Sequence, residues 1–145
     1  MIVDTTTYKE LTRPMYVLKK WQLRRNLEII KGVADSAGIE IILAFKAYAL
    51  WKTFPIFKEY IQSTTASSLA EARLAYDKFG EKAHTFSPAY TDYEIDEIAR
   101  CSSCLTFNSL SQYSRLHDRV RKVNPEISLG LRVNPEYSEI ETDIY

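Results

Sequence analysis

Apolar residues in the first third of the chain recur at the spacing of a single helix face. Five of them fall at offsets of 0, 4, 7, 11 and 14 positions: Leu23, Leu27, Ile30, Ala34 and Ala37. This pattern predicts a helix that begins near Lys19 and ends at Gly38, because glycine is a common helix stop. Before this helix, Pro14 biases the segment from Thr12 to Leu18 towards an extended conformation.

A continuous apolar run follows the predicted helix. The run from Ile39 to Phe45 is rich in β-branched residues and too short for a helix, so it is typical of a buried strand. Four later runs are also predicted to be strands: Ser63 to Ser67, Ala83 to Phe86, Cys104 to Phe107 and Ser128 to Val133. Between the first two strands, Phe54 to Tyr60 is predicted to be helical, with Pro55 tolerated in the first turn.

Three helix starts share one sequence motif, the capping box. Its hydroxyl accepts from a free backbone N–H, and an acid or amide three residues later reaches back to the start of the helix. The three pairs are Ser68 with Glu71, Thr91 with Glu94, and Ser109 with Gln112. Each pair follows a predicted strand, so the second half of the chain alternates between strand and helix.

The predicted strands end at nearly regular intervals, near Lys46, Ser67, Ser87, Asn108 and Asn134. Such alternation predicts an α/β fold with a parallel sheet and helical crossovers. An open doubly wound sheet and part of a (β/α)8 barrel both fit this pattern. A full barrel takes about 250 residues, and about five strands are available before the chain ends at Tyr145 without a closing helix. We interpret the chain as an incomplete barrel, either a fragment or a truncated gene product.

Composition narrows the classes of partner. The 145 residues carry 19 basic and 19 acidic side chains, which argues against nucleic acid or an anionic membrane as the main partner. No apolar run approaches the roughly 20 residues needed to cross a bilayer, and the first residues lack the pattern of a secretory signal. Two cysteines in such a chain suggest a reducing compartment, so a cytoplasmic location is expected.

Six segments, in order along the chain, resemble the fold-type III pyridoxal-phosphate enzymes. This group includes alanine racemase and the ornithine, arginine and diaminopimelate decarboxylases. The segments are PMYVL from Pro14, LAFKA from Leu43, TTASSLAEAR from Thr64, HTFSPAY from His84, FNSLSQ from Phe107 and GLRVNPEYS from Gly130. The TTASS and RVNPEYS stretches favour the subfamily that decarboxylates carboxynorspermidine and carboxyspermidine.

The resemblance implies a fold, a cofactor and partners. Residues 1–145 would be the N-terminal part of a pyridoxal-phosphate-binding TIM barrel of the alanine racemase-like type, with about five βα units and the C-terminal β domain missing. The cofactor would be pyridoxal 5′-phosphate, the substrate a small polyamine-like amino acid, and the full-length protein a homodimer. Alternatives are another decarboxylase of this type such as diaminopimelate decarboxylase, a racemase, a non-catalytic cofactor carrier, an inactive truncated fragment, or a small open-sheet domain with another ligand.

Lys46 is the predicted catalytic and cofactor-bonding residue. It follows a hydrophobic strand at the C-terminal end, where barrel enzymes place their chemistry. Burying a lysine is costly unless its charge is paired or lost, and only the neutral amine attacks an aldehyde. We therefore expect a buried amine at Lys46, and the resemblance assigns the cofactor bond to it. A strand-end lysine that reaches solvent is the plain alternative.

Four other residues are predicted to bind the cofactor. The resemblance places Arg132 beside the cofactor ring, whereas a salt-bridged arginine on the helix side is the alternative. Ser68 and Glu71 match positions near the active site, but the capping box alone explains both. Related decarboxylases carry an aspartate at the position of Thr65, so this chain lacks one negative charge there. His84 is either a contact of the site or a hydrogen-bonded core histidine.

Two further groups of residues combine side chains that can carry chemistry. Cys101 and Cys104 are predicted to be packing residues, because redox motifs of this spacing usually sit at a helix N-terminus and zinc would need two more ligands. No metal site is predicted. Glu136, Tyr137 and Glu139 follow the last strand in a predicted loop, and acidic and aromatic groups suit contact with a cationic polyamine.

Overall fold

A computed structural model describes Arg13, Pro14, residues 16–137 and Glu139, and five parallel strands form its centre. The elements are α1 (Lys20–Ala37), β1 (Leu43–Ala44), a 3-10 turn (Trp51–Thr53), α2 (Phe54–Phe57), β2 (Thr64–Ala66), α3 (Leu69–Leu74) with a π-helical turn (Ala75–Phe79), β3 (Ala83–Phe86), α4 (Ile95–Arg100), β4 (Ser102–Phe107), α5 (Leu110–Val123) and β5 (Ser128–Leu131). Thr12 and Met15 of the predicted extended segment, and the chain end at Tyr145, lie outside the described residues.

The strand order decides between the two predicted architectures. The strands lie in chain order, β1-β2-β3-β4-β5, and every neighbouring pair is parallel. An open doubly wound sheet reverses its order at a switch point, and this sheet has no reversal among the described strands. Right-handed connections in a constant order put every connecting helix on the same face. The arrangement is that of consecutive βα units of a (β/α)8 barrel, as predicted.

The side chains of the strands alternate between a buried face and an open face. In β2, Thr64 and Ala66 are buried while Thr65 between them is half-buried. In β3, Ala83 and Thr85 are buried while His84 is exposed. Because successive residues of a strand point to opposite sides, the buried set faces the helices. We call the other side the open face of the sheet.

Aromatic residues fill the core between the sheet and the first helices. Phe45 stacks on Phe54 with ring centres 5.2 Å apart, and Phe54 meets the edge of Phe79 at 5.4 Å. A second apolar cluster, around Leu105 and Phe107, lies under α4 and α5. No helix among the described residues is both long enough and apolar enough to cross a membrane.

Ion pairs join neighbouring helices on the outer surface. Arg73 of α3 binds Glu97 of α4 through two hydrogen bonds of 2.5 Å each. Arg119 of α5 binds Asp96 of α4 at 2.6 and 3.0 Å. These pairs hold the pKa of both carboxyl groups, Glu97 and Asp96, below the usual range, because the arginines donate hydrogen bonds to the ionised form.

Several predicted elements differ from the structure in their bounds: α2 ends at Phe57, β4 begins at Ser102 and β5 ends at Leu131. The first strand is only Leu43–Ala44, because Ile39 N–H still bonds to the end of α1 and the chain turns again at Phe45. The predicted face of α1 is also only partly buried: Leu27 and Ala34 are in the core, but Ile30 is 37% exposed. Periodicity marks the apolar side of a helix without saying how much of it a neighbour covers.

The predicted capping box at Thr91 is wrong in its geometry. Helix α4 begins at Ile95, and the Thr91 hydroxyl donates to the Glu94 carboxylate at 2.5 Å instead of accepting from a backbone N–H. The other two boxes are confirmed at their hydroxyl ends, where Ser68 and Ser109 each accept from a backbone N–H at 3.2 Å. That residues 1–145 form part of a longer barrel domain stays a prediction.

Candidate active site

Lys46 lies in a tight turn directly after β1. The turn is closed by bonds from the Ala47 and Tyr48 N–H groups to the Ala44 carbonyl, at 3.0 and 3.1 Å. Phe45 is buried in the core, and Lys46 follows it as an exposed residue of this turn, at the C-terminal edge of the sheet. Lys46 therefore lies at the end of the first strand, as the sequence predicted, at the edge where barrel enzymes carry their chemistry.

The predicted burial of Lys46 is wrong for the described residues. Its side chain is exposed. The physical reason is the shape of the sheet: five strands leave the open face without covering elements among the described residues, so a side chain at the edge of that face meets solvent. The amine is consequently accessible to solvent in the part of the chain that the structure describes.

The register of the strands aligns one row of side chains across the open face. Thr65, His84, Cys104 and Ser128 are successive Cα partners from β2 to β5. His84 is exposed, so the interpretation of it as a core histidine is wrong. It lies in the interior row of the open face rather than at the edge that carries Lys46. Whether it touches a cofactor stays a prediction.

Arg132 lies at the same edge of the sheet as Lys46, beyond the end of β5. Its backbone N–H bonds to the Phe107 carbonyl at 2.8 Å, which continues the pairing of β5 with β4. Its guanidinium donates to Asn108 Oδ1 at 3.1 Å and lies 5.9 Å from the centre of the Phe86 ring. A salt bridge on the helix side, the alternative from the sequence, is not what the structure shows for Arg132.

Ser68 and Glu71 form the hydrogen bonds that cap the start of α3. The Ser68 hydroxyl accepts from the Glu71 N–H at 3.2 Å, and the Glu71 carboxylate accepts from the Ser67 N–H at 2.6 Å. Both residues lie just past the end of β2, at the edge shared with Lys46. Their positions suit the predicted site, but a helix cap accounts for every contact seen.

Cys101 and Cys104 have different surroundings. Both are free thiols; Cys101 is buried at the end of α4, where burial raises its pKa, and Cys104 is half-buried on the open face. The packing role is confirmed for Cys101. Within the part of the chain that the structure describes, no three histidine, cysteine or acidic side chains come together to hold a metal ion.

Three residues at this edge were not identified from the sequence as parts of a site. The Phe86 ring lies beside the Arg132 guanidinium, and Asn108 accepts a hydrogen bond from it. Tyr90 forms hydrogen bonds near the ends of two strands. The Tyr90 hydroxyl accepts from the Ser87 N–H at 3.0 Å and donates to the Thr106 carbonyl at 2.9 Å. Burial raises the pKa of Tyr90 to about 12, so the hydroxyl keeps its proton at neutral pH and remains a hydrogen-bond donor.

Gly130 packs closely against the side chain of Thr106. A Cβ atom on Gly130 would come within 2.8 Å of Thr106 Oγ1, closer than real Cβ atoms approach. Thr106 and Gly130 are Cα partners in neighbouring strands, so a glycine is needed at this position for the two strands to pair with the Thr106 side chain in place. Alternation along β3 could have marked Phe86 as a residue of this face, but no local pattern marks Gly130 or Tyr90.

The chain is similar to curated decarboxylases, although no family model matches it. It is 38% identical over 144 residues to the carboxyaminopropylagmatine decarboxylase of Synechocystis sp., which covers 99% of this chain and 37% of that protein. It is 37% and 36% identical to the carboxynorspermidine/carboxyspermidine decarboxylases of Herminiimonas arsenicoxydans and Campylobacter jejuni, covering 92% and 95% of this chain and 36% and 35% of theirs.

A solved structure has the same fold. The crystal structure of the Campylobacter jejuni carboxynorspermidine decarboxylase in complex with norspermidine matches with a TM-score of 0.80 at 35% identity. The match covers 91% of this chain and 35% of that one. The chain thus spans little more than one third of the length of the relatives it matches. Over nearly all of its own length, the chain is homologous to one third of the carboxynorspermidine and carboxyspermidine decarboxylases.

Proposed function

We propose that the protein is a pyridoxal-phosphate-dependent decarboxylase that removes the α-carboxylate of carboxynorspermidine or carboxyspermidine in polyamine biosynthesis. The observation that carries this proposal is the joint placement of Lys46 and Arg132 at the C-terminal edge of a sheet homologous to that of such enzymes. At one barrel mouth, an amine can bond to the aldehyde of a ligand and a guanidinium can bind its anionic group.

The residues at this edge fit the proposed cofactor in their chemistry. Lys46 supplies a primary amine that is accessible, and Arg132 supplies a planar guanidinium suited to phosphate or carboxylate. Gly130, two residues before Arg132, adds no side chain to this part of the edge, where the Thr106 side chain already packs against it. When bound, pyridoxal phosphate supplies an aldehyde for amines and a ring that takes up the electron pair left by carbon dioxide.

The roles of the chain's own residues follow from these positions. Lys46 would hold the cofactor through its Nζ. Arg132, fixed by Asn108 and Phe86, would orient an anionic group at the other side of the mouth. Lys46 and Arg132 belong to the outer strands, about 19 Å apart along the sheet at about 4.8 Å per strand. Curvature of a barrel brings such positions towards each other.

The other predicted site residues have more limited support. Ser68 and Glu71 lie at the same edge, and His84 lies deeper on the open face, so each could line the site once the barrel is closed. Tyr137 donates to Glu139 at 2.9 Å in the segment after β5, which leaves an acidic and aromatic group near the mouth. We propose that this pair and Glu136 contact the cationic part of the substrate.

The partners and location belong to the same proposal. The relatives are about three times as long, so the remaining barrel strands and a β domain would lie in chain beyond these residues. We propose a cytoplasmic homodimer for the full-length protein, with no nucleic acid or membrane as a partner. Carboxyaminopropylagmatine is a second candidate substrate, because the Synechocystis relative is named for it.

A substrate panel tests the proposed function. The full-length protein with pyridoxal phosphate should release carbon dioxide from carboxynorspermidine, carboxyspermidine or carboxyaminopropylagmatine faster than from diaminopimelate, ornithine or arginine. Lys46→Ala should abolish release, and Lys82→Ala, an exposed lysine at the opposite edge of the sheet, should not change it. Racemisation without carbon dioxide, or equal release by Lys46→Ala, would rule out the proposal.

A further inference from the structure

We propose that Gln112 is a positioning residue that ties three strand ends together and thereby holds Arg132 in place. What Arg132 faces rests on the proposed function, but the positioning itself is a property of the chain. Gln112 lies in the first turn of α5 and was predicted only as the second half of a helix cap. Its side chain does more than cap the helix.

Gln112 uses both ends of its amide. The carbonyl oxygen accepts from the Asn108 N–H at 3.0 Å, just after β4. The amide nitrogen donates to the Pro88 carbonyl at 3.3 Å, just after β3. Asn108 in turn accepts from the Arg132 guanidinium at 3.1 Å, just after β5. A continuous path of hydrogen bonds therefore runs from Pro88 through Gln112 and Asn108 to Arg132.

The equivalent cap on α3 shows why a glutamine stands at this place. There the same geometry is made by Ser68 and Glu71, and the carboxylate of Glu71 accepts from the Ser67 N–H at 2.6 Å. An acid is thus sufficient for the cap itself. Only an amide can also donate to a carbonyl, as Gln112 does to Pro88. The second bond is the feature that distinguishes the start of α5.

The loop that Gln112 contacts is itself firmly held. Arg115, one turn further along α5, donates to the Tyr90 carbonyl at 3.1 Å and pairs with Asp92. The buried Tyr90 hydroxyl accepts from the Ser87 N–H at 3.0 Å. Pro88 is therefore a fixed point, and a bond to it restrains the start of α5 instead of following a moving loop.

This restraint limits the conformations of the Arg132 side chain. It is exposed, and a long exposed side chain samples many rotamers unless contacts select one. Two contacts select its position: the bond to Asn108 and the ring of Phe86 at 5.9 Å. Asn108 can aim its oxygen at the guanidinium only while the chain around it is fixed, and Gln112 fixes it through the backbone N–H.

Three variants of the full-length protein separate the positioning role from the cap. Gln112→Glu keeps the acceptor for Asn108 N–H but loses the donor to Pro88, and Gln112→Ala loses both. The control is Gln62→Glu, because the Gln62 amide also donates to a backbone carbonyl, that of Lys58 at 2.9 Å, at an exposed place before β2. If Gln112→Ala unfolds, Gln112→Glu still tests the proposal because its cap is intact.

The first readout is the mobility of Arg132 without any ligand. The order parameter of its side-chain Nε–H group, from 15N relaxation, should fall in Gln112→Glu and further in Gln112→Ala, and should stay unchanged in Gln62→Glu. A role confined to helix capping predicts no change at Arg132 in Gln112→Glu. An unchanged order parameter in that folded variant overturns the proposal.

The second readout is the affinity for pyridoxal phosphate, measured by titration. Gln112→Glu should bind about fivefold more weakly than wild type, the effect of losing one hydrogen bond of about 1 kcal/mol. Equal affinity, with wild type binding normally, would contradict positioning of Arg132 for this ligand. If wild type itself fails to bind, the proposed function falls, and the Arg132 mobility alone decides whether Gln112 positions it.

Discussion

Arg73 and Glu97 join helices α3 and α4 by two parallel hydrogen bonds, each 2.5 Å long. The pair links two consecutive βα units from outside, 24 residues apart in sequence. The hydrogen bonds from Arg73 are the first reason that the pKa of Glu97 lies below its usual range. The pair therefore couples the packing of neighbouring helices to pH.

The ion pair of Glu97 with Arg73 is predicted to lose its contribution to the stability of the fold in acid. Because the pKa of Glu97 is lowered in the folded state, its contribution is fully present above the unfolded pKa of about 4.3 and is lost as the pH falls through the folded value. Glu97→Gln should therefore melt at a lower temperature than wild type at pH 7, and the difference should vanish in strong acid. Because the pair is exposed, we expect a small shift.

The control for this experiment is Glu126→Gln, in the exposed turn before β5. It removes the same charge from a site outside the described interhelical pairs. Melting curves of the three proteins from pH 7 to pH 3 should show the converging difference only for Glu97→Gln. A constant difference across that range would mean that the Arg73 contact does not act through the ionisation of Glu97.

Gly130 and Thr106 predict a pair of coupled substitutions. Gly130→Ala would place a Cβ 2.8 Å from Thr106 Oγ1, so the Thr106 side chain or the paired strands must shift and stability should fall by about 1–3 kcal/mol. Adding Thr106→Ala removes the colliding atoms and should recover much of the loss. Gly32→Ala is the control: nothing lies within 4 Å of its added Cβ in α1, so it should raise stability by about 0.5–1 kcal/mol. Urea denaturation measures all four proteins.

The amide nitrogen of Asn124 is predicted to contribute strongly to the stability of the fold. Asn124 is 7% exposed, and its amide nitrogen donates to the carbonyls of Ala99 and Ser102 at 3.0 and 2.9 Å. Asn124→Asp replaces that donor with a carboxylate oxygen, which should lower the free energy of unfolding by about 3 kcal/mol or more at pH 7. Asn26→Asp, on the exposed side of α1, should change it by less than about 0.5 kcal/mol. Similar losses for both would contradict a bridging role.

Truncation of Phe54 is predicted to destabilise the first core cluster strongly. Phe54 is fully buried and contacts the rings of Phe45 and Phe79, so Phe54→Ala should cost about 3–5 kcal/mol by leaving a cavity. Tyr93→Ala removes an aromatic side chain that is 82% exposed and should leave stability nearly unchanged. Denaturant unfolding of the two variants separates them, and comparable losses would argue against this core.

The sequence was sufficient for the elements whose causes are local. The helix stop at Gly38 and the hydroxyl caps at Ser68 and Ser109 depend on residues a few positions away, and the structure has all three. The nearly regular alternation of strands and helices likewise indicated a parallel sheet, because parallel strands need a helical crossover between them. The placement of Lys46 at the end of β1 followed from the same alternation.

The features that the sequence did not indicate depend on contacts between distant residues. The contact of Arg132 with Asn108 arises from the register of β4 with β5, and their 24-residue separation leaves no local pattern. The exposure of Lys46 depends on what covers the open face, which no run of apolar residues specifies. The turn at Phe45 shortened β1 because a hydrogen-bonded turn at Ala44 competed with strand pairing.

The proposed bond between Lys46 and the aldehyde of pyridoxal phosphate can be tested directly by reductive labelling. The full-length protein is loaded with the cofactor, reduced with borohydride to make the lysine bond permanent, and digested for peptide mass spectrometry. We expect the added mass on the peptide that contains Lys46, and no label in Lys46→Arg. Label on another lysine, or a decarboxylating protein that carries no label at Lys46, would contradict the account.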